Sequence, residues 1–228
     1  MAKLDSVENI VEVYDYFEEN NTAYIVMEYV QGKTLKRFVK ENDGKISEDV
    51  AIHIACSVLI ALQHVQDVGI ILGDISPDHI YICENLQVEL IALGILTQEI
   101  IEERRGGDAI FLPGFEPPEQ YAHTNRQGAW TDVYSVGAIA YYMLTGIIPP
   151  CWLDRIQMVE MLDPLEEIVP SISKNFSDAI MKAMSLNTRD RFSSAKDFLK
   201  ALLNGEESQI KKKKVRRKKA FKSKINRN

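Results

Sequence analysis

The residues whose types and spacing could do chemistry lie between Ile71 and Gly94, in the run I-L-G-D-I-S-P-D-H-I-Y-I-C-E-N-L-Q-V-E-L-I-A-L-G. Asp74 is a carboxylate that could take a proton from a hydroxyl group as a general base. Its plainer reading is a carboxylate that hydrogen-bonds the backbone of its own loop. His79 follows five residues later, and Ala92-Leu93-Gly94 begins eighteen residues after Asp74. Imidazole suits zinc, copper or nickel better than magnesium. A single histidine here is expected to be a hydrogen-bonding group rather than a ligand.

The elements that must position these residues can be read from pattern. Asn9 to Phe17 alternates and is rich in Val, Ile and aromatic residues, so a strand is expected there. Glu18 to Asn21 reads as a turn and Thr22 to Met27 as a second strand, giving a β-hairpin. Leu35 to Val39 reads as a short helix. Ser47 supplies a candidate oxygen cap, Glu48 and Asp49 follow it, and Gly69 closes a long helix over Val50 to Val68. Within it Ile54, Val58, Ala61, Leu62 and Val65 recur at helical spacing. Short strands are expected at Ile70 to Leu72, Ile80 to Cys83 and Val88 to Ala92, then a loop from Thr97 to Gln120. Helices are expected at Thr131 to Thr145, Ile172 to Leu186 and Ser194 to Leu203. The most apolar run, Val133 to Ile148, is broken by Ser135, Gly137, Thr145 and Gly146. It is shorter than the ~20 residues of a membrane span, so a buried core helix is expected. From Gln209 on there are too few apolar residues to pack, and disorder is expected.

Charge divides the chain. The whole carries −6, but residues 211–228 contain eleven Lys or Arg and no acid, which leaves a body of −17. Such a distribution says more about partners than the net value does. The three cysteines, Cys56, Cys83 and Cys151, are an odd number without C-x-x-C spacing. That disfavours a disulfide framework or zinc site and suits free thiols in a reducing compartment. The N-terminal M-A-K-L-D-S-V-E-N-I lacks the apolar run of a signal peptide.

Six motifs, in order, resemble those of bacterial (Firmicutes-type) Ser/Thr protein kinases. V-M-E-Y-V (26–30) resembles the hinge between the two kinase lobes. D-I-S-P-D-H (74–79) resembles the catalytic loop, and A-L-G (92–94) stands at the interval of D-F-G. P-G-F-E-P-P-E-Q-Y (113–121) resembles the A-P-E region. W-T-D-V-Y-S-V-G (130–137) resembles the start of the central buried helix, and R-D-R-F (189–192) the family's last helix. The resemblance covers about residues 5–204.

It implies an α+β, protein-kinase-like fold. Residues 1–30 would be a remnant of the small lobe and hinge, 31–205 a mainly helical large lobe, and 206–228 a basic disordered tail. Asp74 falls on the catalytic base. Glu28 and Val30 fall on the hinge positions whose backbone contacts adenine, and Tyr81 on the pocket floor. Ala92 replaces the magnesium-chelating aspartate, His79 the second, asparagine ligand, and Gly73 the arginine that grips a phosphorylated loop. Glu119 and Arg191 would form a buried ion pair, and Asp132 would hold the catalytic loop from below. The family's Gly-rich loop and V-A-I-K lysine would precede the hairpin, and no G-x-G-x-x-G occurs. The expectation is therefore a truncated pseudokinase that binds or scaffolds, with no cofactor and no metal. The alternative is an ATP- and magnesium-dependent Ser/Thr kinase completed by a separate or missing N-terminal segment. An unpaired small-lobe edge would recruit a protein partner or a second copy. Residues 211–224 could meet an anionic membrane surface. Nucleic acid is disfavoured, because Phe221 is the only aromatic residue interleaved with the basic ones. The location implied is the cytoplasm, free or at the inner face of the membrane.

Overall fold

The computed structural model describes residues 7–20, 22–92, 113–121 and 127–204. Its centre is the run that is apolar on every side. Ala129–Thr145 forms helix α3, and from Thr131 to Leu144 every residue but Tyr142 is buried. A helix that is apolar all round belongs in a core. Two helices flank it. Glu48–Asp67 is α2, and its buried face includes Ile54, Val58, Leu59, Leu62 and Val65. Lys174–Ala183 is α6, which buries Phe176, Ala179 and Ile180. Both pack on α3. Leu35–Glu41 (α1), Trp152–Ile156 (α4), Leu165–Ile168 (α5) and a helix over 195–204 (α7) complete the helical set. The short α4 and α5 are not signalled by pattern, because one helical turn carries no periodicity.

The strands fall into two sheets. Val13–Glu19 (β1) and Thr22–Met27 (β2) pair antiparallel as the expected hairpin, with Phe17 opposite Tyr24. Their rings stack 5.1 Å apart. Gly32–Thr34 (β3), Ile80–Cys83 (β4) and Val88–Leu90 (β5) form a second antiparallel sheet in the order β3-β4-β5. The described elements therefore form the expected α+β arrangement, a mainly helical body beside a two-stranded hairpin.

Three local expectations are corrected. The first strand starts at Val13, not Asn9. Asn9 has φ 65°, and residues 9–11 instead bridge to the other sheet, with Val11 N–H donating to Leu90 O (3.0 Å) and Leu90 N–H to Asn9 O (2.9 Å). Ile70 to Leu72 is not a strand. The Ile70 amide donates to Val65 O at the end of α2, and the Leu72 amide to the Asp132 carboxylate, so neither is available to a ladder. Ser47 occupies the cap position of α2 in extended conformation, but its side chain makes no capping hydrogen bond. The basic segment lies outside the described residues, as do most of the loop expected over 97–120 and Leu93 and Gly94.

Candidate functional site

The site is built from beneath by Asp132, in the first turn of α3 and fully buried. Its carboxylate accepts the amide N–H of Gly73 (2.9 Å) and of Leu72 (3.2 Å). Burial pushes the carboxyl up to about 6, and the two N–H donors act in the opposite direction. This is the support expected of Asp132.

A second support ties the 113–121 segment to the far end of the lobe. Arg191 meets Glu119 with two parallel bonds, Nη1 to Oε1 at 2.6 Å and Nη2 to Oε2 at 3.1 Å, and both side chains are buried. The same guanidinium donates to the carbonyls of Ser185, Leu186 and Trp130 and lies over the Tyr134 ring. Thr131 donates to Glu119 Oε1 (3.2 Å) and accepts from Gly128 N–H, which links the pair to the start of α3. A fork geometry with every donor engaged is the arrangement in which a buried pair is best compensated. The expected ion pair is present.

Above these supports lies the loop itself. Gly73 sits at φ +67°, a conformation that favours glycine. Its carbonyl accepts a hydrogen bond from Gln120 Nε2, so the 113–121 segment reaches the loop directly. Asp74 is next, with its side chain 40% exposed. The ring of His79 turns back onto it, with Nδ1 3.0 Å from Asp74 O and 3.4 Å from Oδ1. A nitrogen facing a carbonyl oxygen must donate, so Nδ1 carries the proton. The hydrogen bond to Asp74 raises the His79 pKa, and desolvation partly opposes it. The Ile91 amide donates to His79 O (2.8 Å), which brings the buried Ala92 to the same place. His79 thus meets Asp74 through its ring and Ile91, the neighbour of Ala92, through its carbonyl.

The remaining expected residues lie along the strands. Glu28 follows β2 and is exposed, with its N–H donating to Glu12 O (2.9 Å). Val30 is half-buried, and its carbonyl accepts from Gly32 N–H (3.0 Å). Tyr81 is half-buried on β4, opposite Thr34 and Glu89. Three contacts escaped the sequence reading. Lys36 reaches Asp78 (3.0 Å) while its amide donates to Pro77 O, which fixes α1 on the loop. Arg155 donates to Tyr134 Oη and Met184 O, each at 3.0 Å. Gln120 reaches Gly73 across 47 residues. Each joins residues far apart in sequence, and no periodicity records that.

A profile described as protein kinase domain matches residues 1–210. The chain belongs to the protein kinase family. It is similar to a probable serine/threonine-protein kinase of Clostridium perfringens, 32% identical over 197 residues, covering 84% of this chain and 28% of that protein. A second from Clostridium acetobutylicum is 30% identical, covering 86% of this chain and 30% of the relative. A third, from Bifidobacterium longum, is 31% identical over 83% of this chain and 30% of its own length. Among solved structures, one described as PpkA-294 in its apo form aligns with TM-score 0.72 and 29% identity, over 85% of this chain and 68% of that one. The chain therefore spans about 30% of the length of these bacterial kinases.

Kinase chemistry implies magnesium, and the donors at the two kinase metal positions do not fit it. Ala92 brings a methyl group where a carboxylate is needed. His79 brings an imidazole whose Nδ1 is already committed to Asp74. Among the described residues no cluster of three or more His, Cys, Asp or Glu could hold a metal ion.

Proposed function

We propose that this kinase-family chain is a pseudokinase, a binding or scaffolding module that does not transfer phosphate. The observation that carries the reading is the pairing of Ala92 with a His79 turned onto Asp74. A metal stabilises transferring charge by several kcal/mol. At a tenfold change in rate per ~1.4 kcal/mol, its loss alone costs on the order of 10³-fold. The phospho-switch is missing as well. Gly73 replaces the arginine, and Gln98 to Tyr121 contains no Ser or Thr. Arg–phosphate ordering of that loop is then unavailable.

The surface that supports binding is the hairpin. Tyr14, Phe17, Tyr24 and Val26 are all exposed on a sheet that has two strands among the described residues. Strand edges of this kind take up a further strand from a partner or another copy. Thermal denaturation with and without ATP and magnesium tests the inactive reading. A functional site at 100-fold excess over its dissociation constant would stabilise by about 2.7 kcal/mol. No shift is expected, and a saturable shift lost in Asp74→Asn would count against the proposal.

The second reading is a Ser/Thr kinase whose missing strands come from another polypeptide. It is favoured by one feature, the solvent access that Asp74 retains.

A further inference from the structure

Most of the exposed large apolar side chains of the large lobe fall between residues 147 and 161. Ile148, Leu153, Ile156, Met158, Val159 and Met161 are all exposed, with Met158 at 80% and Val159 at 73%. A concentration of this kind on a folded domain marks an interaction site. It adjoins the candidate catalytic loop. Ile148 Cγ2 lies 2.8 Å from where a Cβ on Gly114 would stand, and the rings of Tyr121 and Trp152 meet at 5.4 Å. The segment carrying Gly114 and Tyr121 also carries Gln120, which bonds Gly73 beside Asp74.

The charge around these residues has one sign. Residues 147–170 include Asp154, Glu160, Asp163, Glu166 and Glu167. The one basic residue among them, Arg155, is turned inward onto Tyr134 and Met184. Lys174 offsets Glu166 alone of these five, at 3.7 Å. An occupant must therefore combine positive charge with apolar side chains. A second copy of the same patch fails, because it would set acid against acid. An anionic membrane fails for the same reason. This chain carries a segment of the required chemistry. Residues 210–225 hold ten Lys or Arg interleaved with Ile210, Val215, Phe221 and Ile225. Helix α7 ends at 204. At roughly 3.3 Å per residue, 21 further residues reach up to about 70 Å, more than the roughly 40 Å breadth of a domain of this size.

We propose that residues 210–225 dock in cis on the apolar, acid-rimmed patch around α4. The test replaces Phe221 in the full chain with a photo-crosslinking p-benzoylphenylalanine, and maps the labelled peptides of the monomer by mass spectrometry. Label is expected within 147–161. It should fall several-fold at about 0.5 M salt, where screening shortens to a few ångströms. It should fall likewise in the surface variant Glu160→Lys/Glu167→Lys, and return when Lys211 to Lys214 are also changed to Glu. Label elsewhere on the domain, label found only in crosslinked dimers, or label indifferent to the charge reversals overturns the proposal. So does label that appears only on lipid when phosphatidylserine vesicles are added.

Discussion

Asp132 holds the amides of Leu72 and Gly73, and Asp74 is the next residue along that loop. The two acids differ in what surrounds them. Asp132 is fully buried and its carboxyl is raised from 3.8 to about 6. A raised folded value means that the native state holds more protons than the unfolded chain between roughly pH 4 and 6. The contribution of Asp132 to stability is therefore largest below that window and falls as pH rises through it. Denaturant titrations of the wild type and Asp132→Asn across pH 4 to 7 should diverge with this sign. Asn keeps one acceptor, so one loop amide also loses its partner, at about 1–3 kcal/mol. Asp74, by contrast, is accessible and paired with a histidine whose pKa it raises. The stability from that pair is complete below about pH 6.5 and is lost as pH rises through the raised value. In an NMR titration, Asp74→Asn should bring the His79 midpoint down toward 6.5. An unchanged midpoint would mean that the carboxylate does not govern the ring. Glu119→Ala leaves the buried Arg191 without its counter-charge and should cost about 3–5 kcal/mol in chemical denaturation. Glu41→Ala removes an exposed pair with Lys33 and should leave the midpoint nearly unchanged.

Among the elements, α3 organises the others, and it does so through close contact. A Cβ on Gly137 would stand 2.9 Å from the Ala183 methyl and 3.1 Å from Met184 Cγ. Gly137→Ala must then push α6 away from α3, and a loss of about 1–3 kcal/mol is expected in denaturant unfolding. Gly146 ends α3 at φ +74°, where a Cβ would sit 2.4 Å from Gly44 O. These elements were legible in the sequence because burial imposes a period. The mostly apolar run of α3, the spaced Ile54, Val58 and Leu62 of α2, and the alternating hairpin each record which side faces the core. The motif spacing carried the supports too, since Asp132, Glu119 and Arg191 stand where the kinase pattern puts them. What was not legible is what packing decides. Ile70 to Leu72 has the composition of a strand, yet Asp132 and the end of α2 claim its amides. Asn9 and Ile10 alternate with the hairpin but bridge to Leu90 instead. The turn of His79 onto Asp74 depends on a side-chain rotation that no spacing encodes.

At the scale of the whole molecule, a well-supported lobe presents two surfaces with exposed apolar side chains among the described residues, the hairpin and the patch around α4. If the hairpin recruits another copy or a partner, the double variant Phe17→Lys/Tyr24→Glu should lower association in sedimentation with little change in the unfolding midpoint, because an opposite-charge pair replaces the exposed cross-strand stack. Equal association in the variant would remove the hairpin from the account. In the function proposed above, the large lobe keeps its buried supports while Ala92, His79 and Gly73 stand in place of groups for magnesium and a phosphorylated loop. That division is the basis for reading the chain as a kinase fold kept for binding. The most direct test is phosphate transfer from labelled ATP with magnesium or manganese, comparing the wild type with Asp74→Asn. The account predicts that both give the same background. Turnover in the wild type that disappears in Asp74→Asn would contradict it.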